Sequence, residues 1–509
     1  MEPLPLTGND LTFEGLAEVV FGGREATLAP AARQRVSASR EVVEGLLVSG
    51  ETAYGINTGF GELSTVRIPP DQVRQLQVNL VRSHACGVGA FLAEAEVRAM
   101  MLLRGNALAK GFSGVRPVVI ETLCAMLARG VHPVVPSQGS VGASGDLAPL
   151  AHLALVAIGE GEAVYQRERL PGGEAMRRAG IAPLSLEAKE GLALLNGTQG
   201  MLALGALALR EALRLADAAD VAAALSLDAL RGSPAAFDAR IQQARPFRGQ
   251  ALVAERLRRL NEGSEIRESH RSAQRDPRVQ DAYSLRCVPQ VHGAARDVLQ
   301  QAAATLQVEL NSATDNPLVF PAGEPGADAV VSGGNFHGQP LALAADQMAL
   351  ALATLGGIAE RRIEHLTNPH SSLLPAFLVT NPGLNSGFMM LQVTAAALAS
   401  ELKTQAAPHS VDSIPTSANQ EDYVSMGMAA ARRLRPMAEN LRNILAIELL
   451  CACQGIDLLA PLKTGRLAQS VHAAVRRLSP TVDQDRSLAA DIGGVAEWIA
   501  GGALESLLP

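Results

Sequence analysis

The feature that most constrains the fold is a long run of Ala- and Leu-rich sequence without proline. The segment MLALGALALREALRLADAADVAAALSLDALRG ends at Gly232. Alanine and leucine are strong helix formers, and a glycine is a common helix stop. We therefore expect a long helix that begins at about residue 199.

Other segments have the same texture. Residues 338–365, 389–407 and 424–455 are apolar on nearly all sides of a helix, so other helices must bury them. Alternating strand patterns are scarce, although VVSGGNF is a candidate for part of a hairpin. The predicted fold class is mainly α, a bundle of long, mostly antiparallel helices. We expect a loop-rich N-terminal part over residues 1–198 and the helix bundle with C-terminal helices over residues 199–509. Buried Ala-rich helices also favour a homo-oligomer.

Charge and cysteine usage exclude several classes of protein. The chain has 44 Lys and Arg against 51 Asp and Glu, a net charge of −7, which does not suit a nucleic-acid binder. Its start shows no signal peptide, and its apolar stretches are interrupted before they reach membrane-spanning length, so we expect no membrane partner. Five cysteines without CxxC spacing predict a reduced, cytoplasmic protein. The ten histidines form no HExxH pattern, and we predict no metal.

The most unusual loop is GSVGASGD, residues 139–146, which contains almost no bulky side chain. It matches neither G-x-S-x-G nor a phosphate-binding loop. Asp146 is a candidate N-cap for the apolar segment that follows. In a tight bend, the Gly145 nitrogen can reach the Ala143 carbonyl carbon, because Gly145 has no Cβ in the way. Ring closure and loss of the Ser144 hydroxyl give 4-methylidene-imidazol-5-one (MIO), an electrophile that side chains cannot supply.

Further motifs accompany this loop in order between residues 52 and 427: TAYGINTGFG, NLVRSHACGVG, LLNGTQG, QDAYSLRCVPQVHGA, TDNPLVF, SGGNFHGQP and SIPTSANQEDYVSMG. With them, the sequence resembles the aromatic amino acid ammonia-lyases. The resemblance implies an MIO group made from Ala143, Ser144 and Gly145, with no PLP. It also implies a homotetramer in which several subunits build each active site for a small amino acid substrate.

The resemblance assigns roles to residues that also have ordinary structural explanations. Tyr54 could be a packed loop tyrosine, yet the resemblance implies that Tyr54 and Tyr283 are acid–base candidates. Asn196 could be a helix C-cap, or its amide could bind the substrate carboxylate or the electrophile's oxygen, and the resemblance implies the last of these. Residues three apart share a helical face. The resemblance implies that the following residues bind substrate: Gln280 and Arg286 at the carboxylate, and Phe336 against the ring.

Substrate choice depends on two places in the sequence. Ser83-His84 and Glu421 match the family members that act on histidine, whereas phenylalanine members usually carry glutamine in place of the glutamate. The resemblance therefore implies conversion of L-histidine to trans-urocanate and ammonia. Tyr423 and Gln339 depart from many histidine members, which leaves a shifted preference open. A tyrosine or phenylalanine lyase, an aminomutase and a non-catalytic helical scaffold are the alternatives. Attack by the substrate amine and attack on its imidazole both remain open.

Overall fold

The computed structural model of the 509-residue chain describes residues 1–59, 65–272, 276, 278–321 and 329–504. The chain folds as two compact units, each assembled from three separate segments. The first unit contains Met1–Leu207, Ala303–Asp346 and Pro408–Arg432, and the second contains Ala208–Ala302, Gln347–Ala407 and Arg433–Pro509.

The first unit combines helices with short strands. Its helices are α1 (Phe13–Val20), α2 (Pro30–Ser49), α3 (Val73–His84), α4 (Glu94–Ala109), α5 (Pro117–Arg129), α6 (Leu147–Ala157), α7 (Gly172–Arg178), α8 (Glu190–Leu195) and α18 (Gly427–Arg432). Its strands are β1 (Leu4–Leu6), β2 (Ala26–Leu28), β3 (Val88–Phe91), β4 (His132–Pro133), β5 (Pro136–Gln138), β6 (Glu162–Tyr165), β7 (Glu168–Pro171), β8 (Leu318–Val319) and β9 (Val330–Val331). The pairs β1–β2, β3–β5 and β8–β9 and the set β4–β6–β7 form small sheets, and only β1–β2 is parallel among these pairings. The segment VVSGGNF thus contributes β9, which is antiparallel to β8.

The second unit is built from helices α10 (Ala239–Ala244), α11 (Arg248–Leu260), α12 (Glu265–Ser269), α13 (Tyr283–Arg286), α16 (Pro369–Ser372), α17 (Met389–Gln405), α19 (Leu434–Asp457), α20 (Arg466–Leu478) and α21 (Ala489–Ala500). Three long helices begin in one unit and end in the other: α9 (Gln199–Ala229), α14 (Val288–Leu310) and α15 (Gln339–Thr367). The mainly helical prediction is confirmed.

Most of the long helices lie where the sequence predicts them. The predicted helix at 199–232 is α9, and those at 338–365 and 389–407 are α15 and α17. The expectation of one helix over 424–455 was wrong, because α18 and α19 are separate. Pro436, in the first turn of α19, has no N–H to donate to the carbonyl four residues earlier, so a continuous helix cannot form there.

Among the residues that the structure describes, one helix is long and apolar enough to cross a membrane, contrary to the sequence expectation. This helix, α15, has a window of mean hydropathy 1.5. However, 61% of that window is buried inside the protein, and a core helix can be equally long and apolar. The apolar surface of α15 is therefore covered largely by polypeptide.

Candidate active site

The Ala-Ser-Gly loop bends tightly in front of α6. Gly142 and Gly145 have positive φ values of 68° and 75°, a region that residues with a Cβ rarely adopt. A Cβ on Gly145 would overlap the carbonyl oxygen of Gly197, which also accepts a hydrogen bond of 2.7 Å from the Asp146 nitrogen. The loop therefore needs glycine at position 145 for both its conformation and its packing.

Segments far along the chain hold the start of this loop. The Ser425 hydroxyl donates to the Gly142 carbonyl oxygen at 2.9 Å, and the Met426 nitrogen donates to the Val141 carbonyl oxygen at 2.8 Å. The Gly338 nitrogen reaches the same Gly142 oxygen at 3.1 Å. Two distant segments of the first unit thus fix one short loop.

Asp146 occupies the N-cap position of α6, but its side chain does not cap that helix. Its carboxylate instead accepts hydrogen bonds from the Met201 nitrogen at 2.7 Å and from the Ser140 hydroxyl at 2.9 Å. The expectation of an ordinary side-chain cap was wrong, because the nearby first turn of α9 offers better-placed N–H donors. Complete burial raises the pKa of Asp146 to about 6.

Asn196 ends α8 as its C-cap and turns its amide towards the loop. Its Nδ2 donates to the Ser144 carbonyl oxygen at 2.7 Å. In an MIO ring made from Ala143, Ser144 and Gly145, this oxygen is the ring's carbonyl oxygen. A fixed donor at that point stabilises negative charge that develops on the ring. The position of Asn196 is thus compatible with two of the roles considered from the sequence, the helix C-cap and the donor to the electrophile's oxygen.

The loop opens onto a cavity of about 1020 Å³ within the first unit. Among the residues considered from the sequence, its lining includes Tyr54, Ser83, His84, Ala143, Ser144, Asn196, Phe336, Glu421 and Tyr423. Most of the candidate site is thereby brought together by one unit of one chain. The last two residues of the motif TAYGINTGFG, which carries Tyr54, and the three residues after it (60–64) lie outside the described residues.

Glu421 is presented by a strained turn. Thr416 and Glu421 pair through main-chain hydrogen bonds, and Ser417, Ala418 and Asn419 between them all have positive φ. Such strain in non-glycine residues is concentrated at functional sites. One Glu421 oxygen accepts from the Thr416 hydroxyl at 2.6 Å, and the other accepts from the Ser144 hydroxyl at 2.6 Å. The carboxylate therefore directly contacts the residue expected to become the electrophile.

His84 ends α3 with its ring tied to its own helix. Its Nδ1 lies 2.9 Å from the Leu80 carbonyl oxygen, which can only accept, so Nδ1 carries the proton and Nε2 is left as an acceptor. Burial lowers the pKa of His84, although the Leu80 hydrogen bond and the charge on Glu421 act in the opposite direction. His84 is therefore neutral at pH 7 and presents a lone pair.

The remaining predicted residues belong to the second unit. Tyr283 and Arg286 lie on the one-turn helix α13, and the Arg286 guanidinium carbon stands 5.3 Å from the centre of the Tyr283 ring. Tyr283 is 73% exposed, and Gln280 is exposed just before this helix. The spacing of three residues thus places Tyr283 and Arg286 together. They are not among the residues that line the cavity of the first unit.

The sequence argument missed several contributors that stand inside the motifs already quoted. Thr416 orients Glu421, Asn316 lines the cavity, and His337 stacks on Tyr423 with ring centres 6.2 Å apart. Their positions in SIPTSANQED, TDNPLVF and SGGNFHGQP were the available signal. Gln339 instead donates to the Ser410 carbonyl oxygen at 3.1 Å and does not line the cavity. Among the described residues, no group of three or more His, Cys, Asp or Glu side chains could hold a metal ion.

Comparison with known proteins supplies a family context for this geometry. The family model for aromatic amino acid lyases matches residues 11–477. A histidine ammonia-lyase of Koribacter versatilis is 57% identical, with 99% of both chains covered. The crystal structure of histidine ammonia-lyase from Trypanosoma cruzi superposes with a TM-score of 0.91 at 45% identity, covering 99% of this chain and 94% of that one. A tyrosine aminomutase from Streptomyces globisporus gives 0.94 at 40% identity, covering 99% and 98%.

Proposed function

Because this chain belongs to the aromatic amino acid lyase family, we propose that it eliminates ammonia from L-histidine to give trans-urocanate. The names of its relatives support this activity, which would be the first step of histidine degradation. The observation that carries the substrate assignment is the Glu421 carboxylate, which lies in the same cavity as His84 and Ser144.

We propose that Ala143, Ser144 and Gly145 form the MIO group without an added cofactor. The Gly145 nitrogen bonds to the Ala143 carbonyl carbon, and that carbonyl oxygen leaves as water with the Gly145 and Ser144 amide hydrogens. A second water takes the Ser144 hydroxyl and the hydrogen on its Cα, which leaves an exocyclic methylene. The bend at Gly145 and the Asn196 donor on the Ser144 oxygen fit this group. When formed, it supplies an electrophilic carbon that side chains lack.

The substrate ring is recognised by acceptors. An imidazole offers one N–H donor when neutral and two when protonated, whereas phenyl offers none and a phenol offers one hydroxyl. Glu421 and the His84 Nε2 atom are acceptors in the same cavity, and Phe336 provides an apolar wall. Loss of the Ser144 hydroxyl during ring formation would free the Glu421 oxygen that now accepts from it. Formation of the MIO ring would therefore also leave this Glu421 oxygen available to the substrate imidazole.

The proton and the substrate carboxylate require the remaining candidates. We propose that Tyr54 and Tyr283 hold the positions of acid and base, while Arg286 and Gln280 bind the carboxylate. A guanidinium can form two parallel hydrogen bonds to a carboxylate.

In a homotetramer, Tyr283 and Arg286 of one subunit can complete the cavity of another. Exposed apolar side chains on α17, such as Met390 at 61% and Val393 at 47%, support such an assembly. The free cysteines are consistent with a reducing cytoplasm.

A tyrosine lyase or aminomutase of the same family is the second candidate. It is favoured by one observation, that Tyr423 lines the cavity beside Glu421. The Tyr423 hydroxyl makes the end of the cavity that would bind the substrate ring more polar. Glu421 itself argues against a phenyl ring, since the carboxylate oxygen that Thr416 does not bind would find no donor there.

The deciding experiment is a turnover assay with L-histidine, L-tyrosine and L-phenylalanine, followed by ultraviolet absorbance, alongside the intact mass. We expect urocanate from histidine, and a mass lower than that of the sequence by two waters. Ser144→Ala should lack the mass loss and lose at least about a thousandfold in kcat. Coumarate or cinnamate as the main product, or β-tyrosine on chromatography of the tyrosine reaction, would reject the histidine assignment. An unmodified, inactive wild type would reject the MIO chemistry.

A further inference from the structure

A buried guanidinium lies behind the electrophile loop and has no part in the chemistry above. Arg104 belongs to α4, and its side chain is completely buried. Burial lowers its pKa to about 10, so it remains protonated at neutral pH. A buried charge is costly unless its interactions compensate for lost hydration, so the contacts of Arg104 need a reason.

Those contacts converge on the peptide that links α8 to α9. The Arg104 Nη1 atom donates to the Asn196 carbonyl oxygen at 3.0 Å and to the Gln199 side-chain oxygen at 2.6 Å. A Cβ on Gly197 would overlap the same nitrogen, so the guanidinium packs directly against this peptide. Gln199 is fixed in turn, because its amide donates to the Thr314 hydroxyl at 2.9 Å.

The same stretch of main chain holds the electrophile segment on both sides of Gly145. The Asn196 side chain donates to the Ser144 carbonyl oxygen, and the Gly197 carbonyl oxygen accepts from the Asp146 nitrogen, both at 2.7 Å. A shift of the Asn196–Gly197 peptide would move both contacts together. Arg104 therefore sits one hydrogen bond behind the donor that faces the electrophile's oxygen.

Arg104 forms no ion pair with a described residue. The nearby buried carboxylate of Asp315 is engaged by Lys189, whose Nζ lies 2.9 Å from it. Within the described parts of the chain, the Arg104 Nε and Nη2 atoms have no hydrogen-bond partner. The hydrogen bonds of the guanidinium therefore go to the Asn196 carbonyl and the Gln199 side chain, and the first polarises the peptide that carries the side-chain donor.

We propose that Arg104 is a positioning residue that holds the Asn196 amide against the electrophile's carbonyl oxygen and thereby strengthens the electrophile. The inference rests on the proposed MIO chemistry. It predicts an effect on reactivity rather than on substrate affinity, because Arg104 contacts the support of the loop and not the cavity.

The test compares Arg104→Met, which removes the charge and the donors, with Arg104→Lys, which keeps the charge. Intact mass gives the fraction of chains that have lost two waters. Sodium borohydride then probes the electrophile without histidine: hydride adds to the methylene carbon, negative charge moves to the Ser144 oxygen, and water returns a proton. For the mature fraction of Arg104→Met, we expect kcat and the borohydride inactivation rate to fall together by about 10- to 100-fold, with KM within about threefold. Arg104→Lys should recover most of both rates.

Arg98→Met is the matched control. Arg98 lies on the same helix and donates to the main-chain oxygens of Val19 and Val20 at 2.6 and 3.1 Å, away from the loop. It should lower Tm without changing the borohydride rate. Arg104→Met with both rates within twofold of wild type, or with a raised KM alone, would overturn the inference. A folded Arg104→Met protein that has not lost the two waters would mean that its ring does not form. If Arg104→Lys does lose them, this result would support the inference, with Arg104 acting during ring formation.

If Arg104→Met is insoluble, Arg104→Gln replaces it under the same criteria. Failure of the proposed function is separately visible, because it appears in the wild type. An unmodified wild-type mass rejects both proposals. A mature wild type that turns over tyrosine rejects only the substrate, and the borohydride comparison still decides the role of Arg104.

Discussion

At the scale of single residues, the proposed function assigns the choice between an imidazole and a phenyl ring to the side chain at position 421. Glu421 is an acceptor at both oxygens, one towards Thr416 and one towards Ser144. Its charge also acts on His84 in the same cavity. Glutamine has the same shape, but it has only one acceptor oxygen and no charge.

We predict that Glu421→Gln lowers kcat/KM for L-histidine by about 10- to 100-fold, because a hydrogen bond to a charged group contributes roughly 1.5–3 kcal/mol. The value for L-phenylalanine should stay the same or rise. Steady-state kinetics with both substrates measures the ratio. Glu439→Gln, at an exposed pair with Arg435, is the charge-matched control and should leave the ratio unchanged. An equal loss for both substrates would contradict recognition of the ring by Glu421.

A second prediction concerns Gly145. Gly145→Ala should lower stability by about 1–3 kcal/mol, because its φ is positive and its Cβ would overlap the Gly197 oxygen. It should also prevent the loss of two waters. Calorimetry and intact mass measure these effects. Gly45→Ala, at an exposed position of α2 where a Cβ would meet open space, should instead raise stability by up to about 1 kcal/mol. A mature Gly145→Ala protein of normal stability would refute the argument.

At the scale of elements, one buried carboxylate connects the starts of two helices. Asp146 precedes α6 in sequence but accepts its hydrogen bond from Met201 in the first turn of α9. The loop between Gly142 and Asp146 is therefore anchored to the longest described helix as well as to the one it precedes. Ionised Asp146 also suits the positive end of the α9 dipole.

The raised pKa of Asp146 predicts how stability depends on pH. The folded state holds this proton up to about pH 6, whereas the unfolded state releases it near 3.8. Between these values the folded state binds more protons, so this contribution to stability falls as pH rises, by about 3 kcal/mol, and the loss is complete above pH 6. Asp146→Asn lacks this term. The Tm difference, wild type minus variant, should thus be larger at pH 4.5 than at pH 7.5 by calorimetry. A constant difference would mean that Asp146 has an ordinary pKa.

The long helices and most cavity residues could be predicted because each depends on local sequence or on a quoted motif. Pro436 was visible but was not weighed against the apolar run around it. The positive φ values of Ser417, Ala418 and Asn419 were not predicted, because none of these residues is a glycine that would signal them. The partners of Asp146 and Arg104 likewise lie 55 and 92–95 residues away, beyond the range of any local pattern.

At the scale of the whole molecule, the candidate residues divide between the two units. Tyr54 and Ser144 belong to the first unit, and Tyr283 and Arg286 belong to the second. In the proposed tetramer, a complete site takes each group from a different chain.

Two inactive variants should therefore restore activity when they are produced together. We predict that co-expressed Ser144→Ala and Arg286→Ala chains form mixed tetramers with urocanate production at least about tenfold above either variant alone, because some sites receive both intact groups. Ser144→Ala with Tyr54→Phe is the control and should not recover, since both changes fall in the same unit. Recovery in the control pair, or in neither pair, would contradict sharing of sites between subunits. Native mass spectrometry would report the tetramer directly.

The hydrogen bonds that hold the loop also set an order of events during protein synthesis. Ser144 meets Glu421, 277 residues later, and Gly142 meets Ser425, 283 residues later. A ribosome must therefore release nearly the entire chain before the loop can reach its final geometry. If the loop forms the proposed MIO group in this geometry, truncated or stalled products stay inert polypeptides, and the reactive group arises only within a finished, folded subunit.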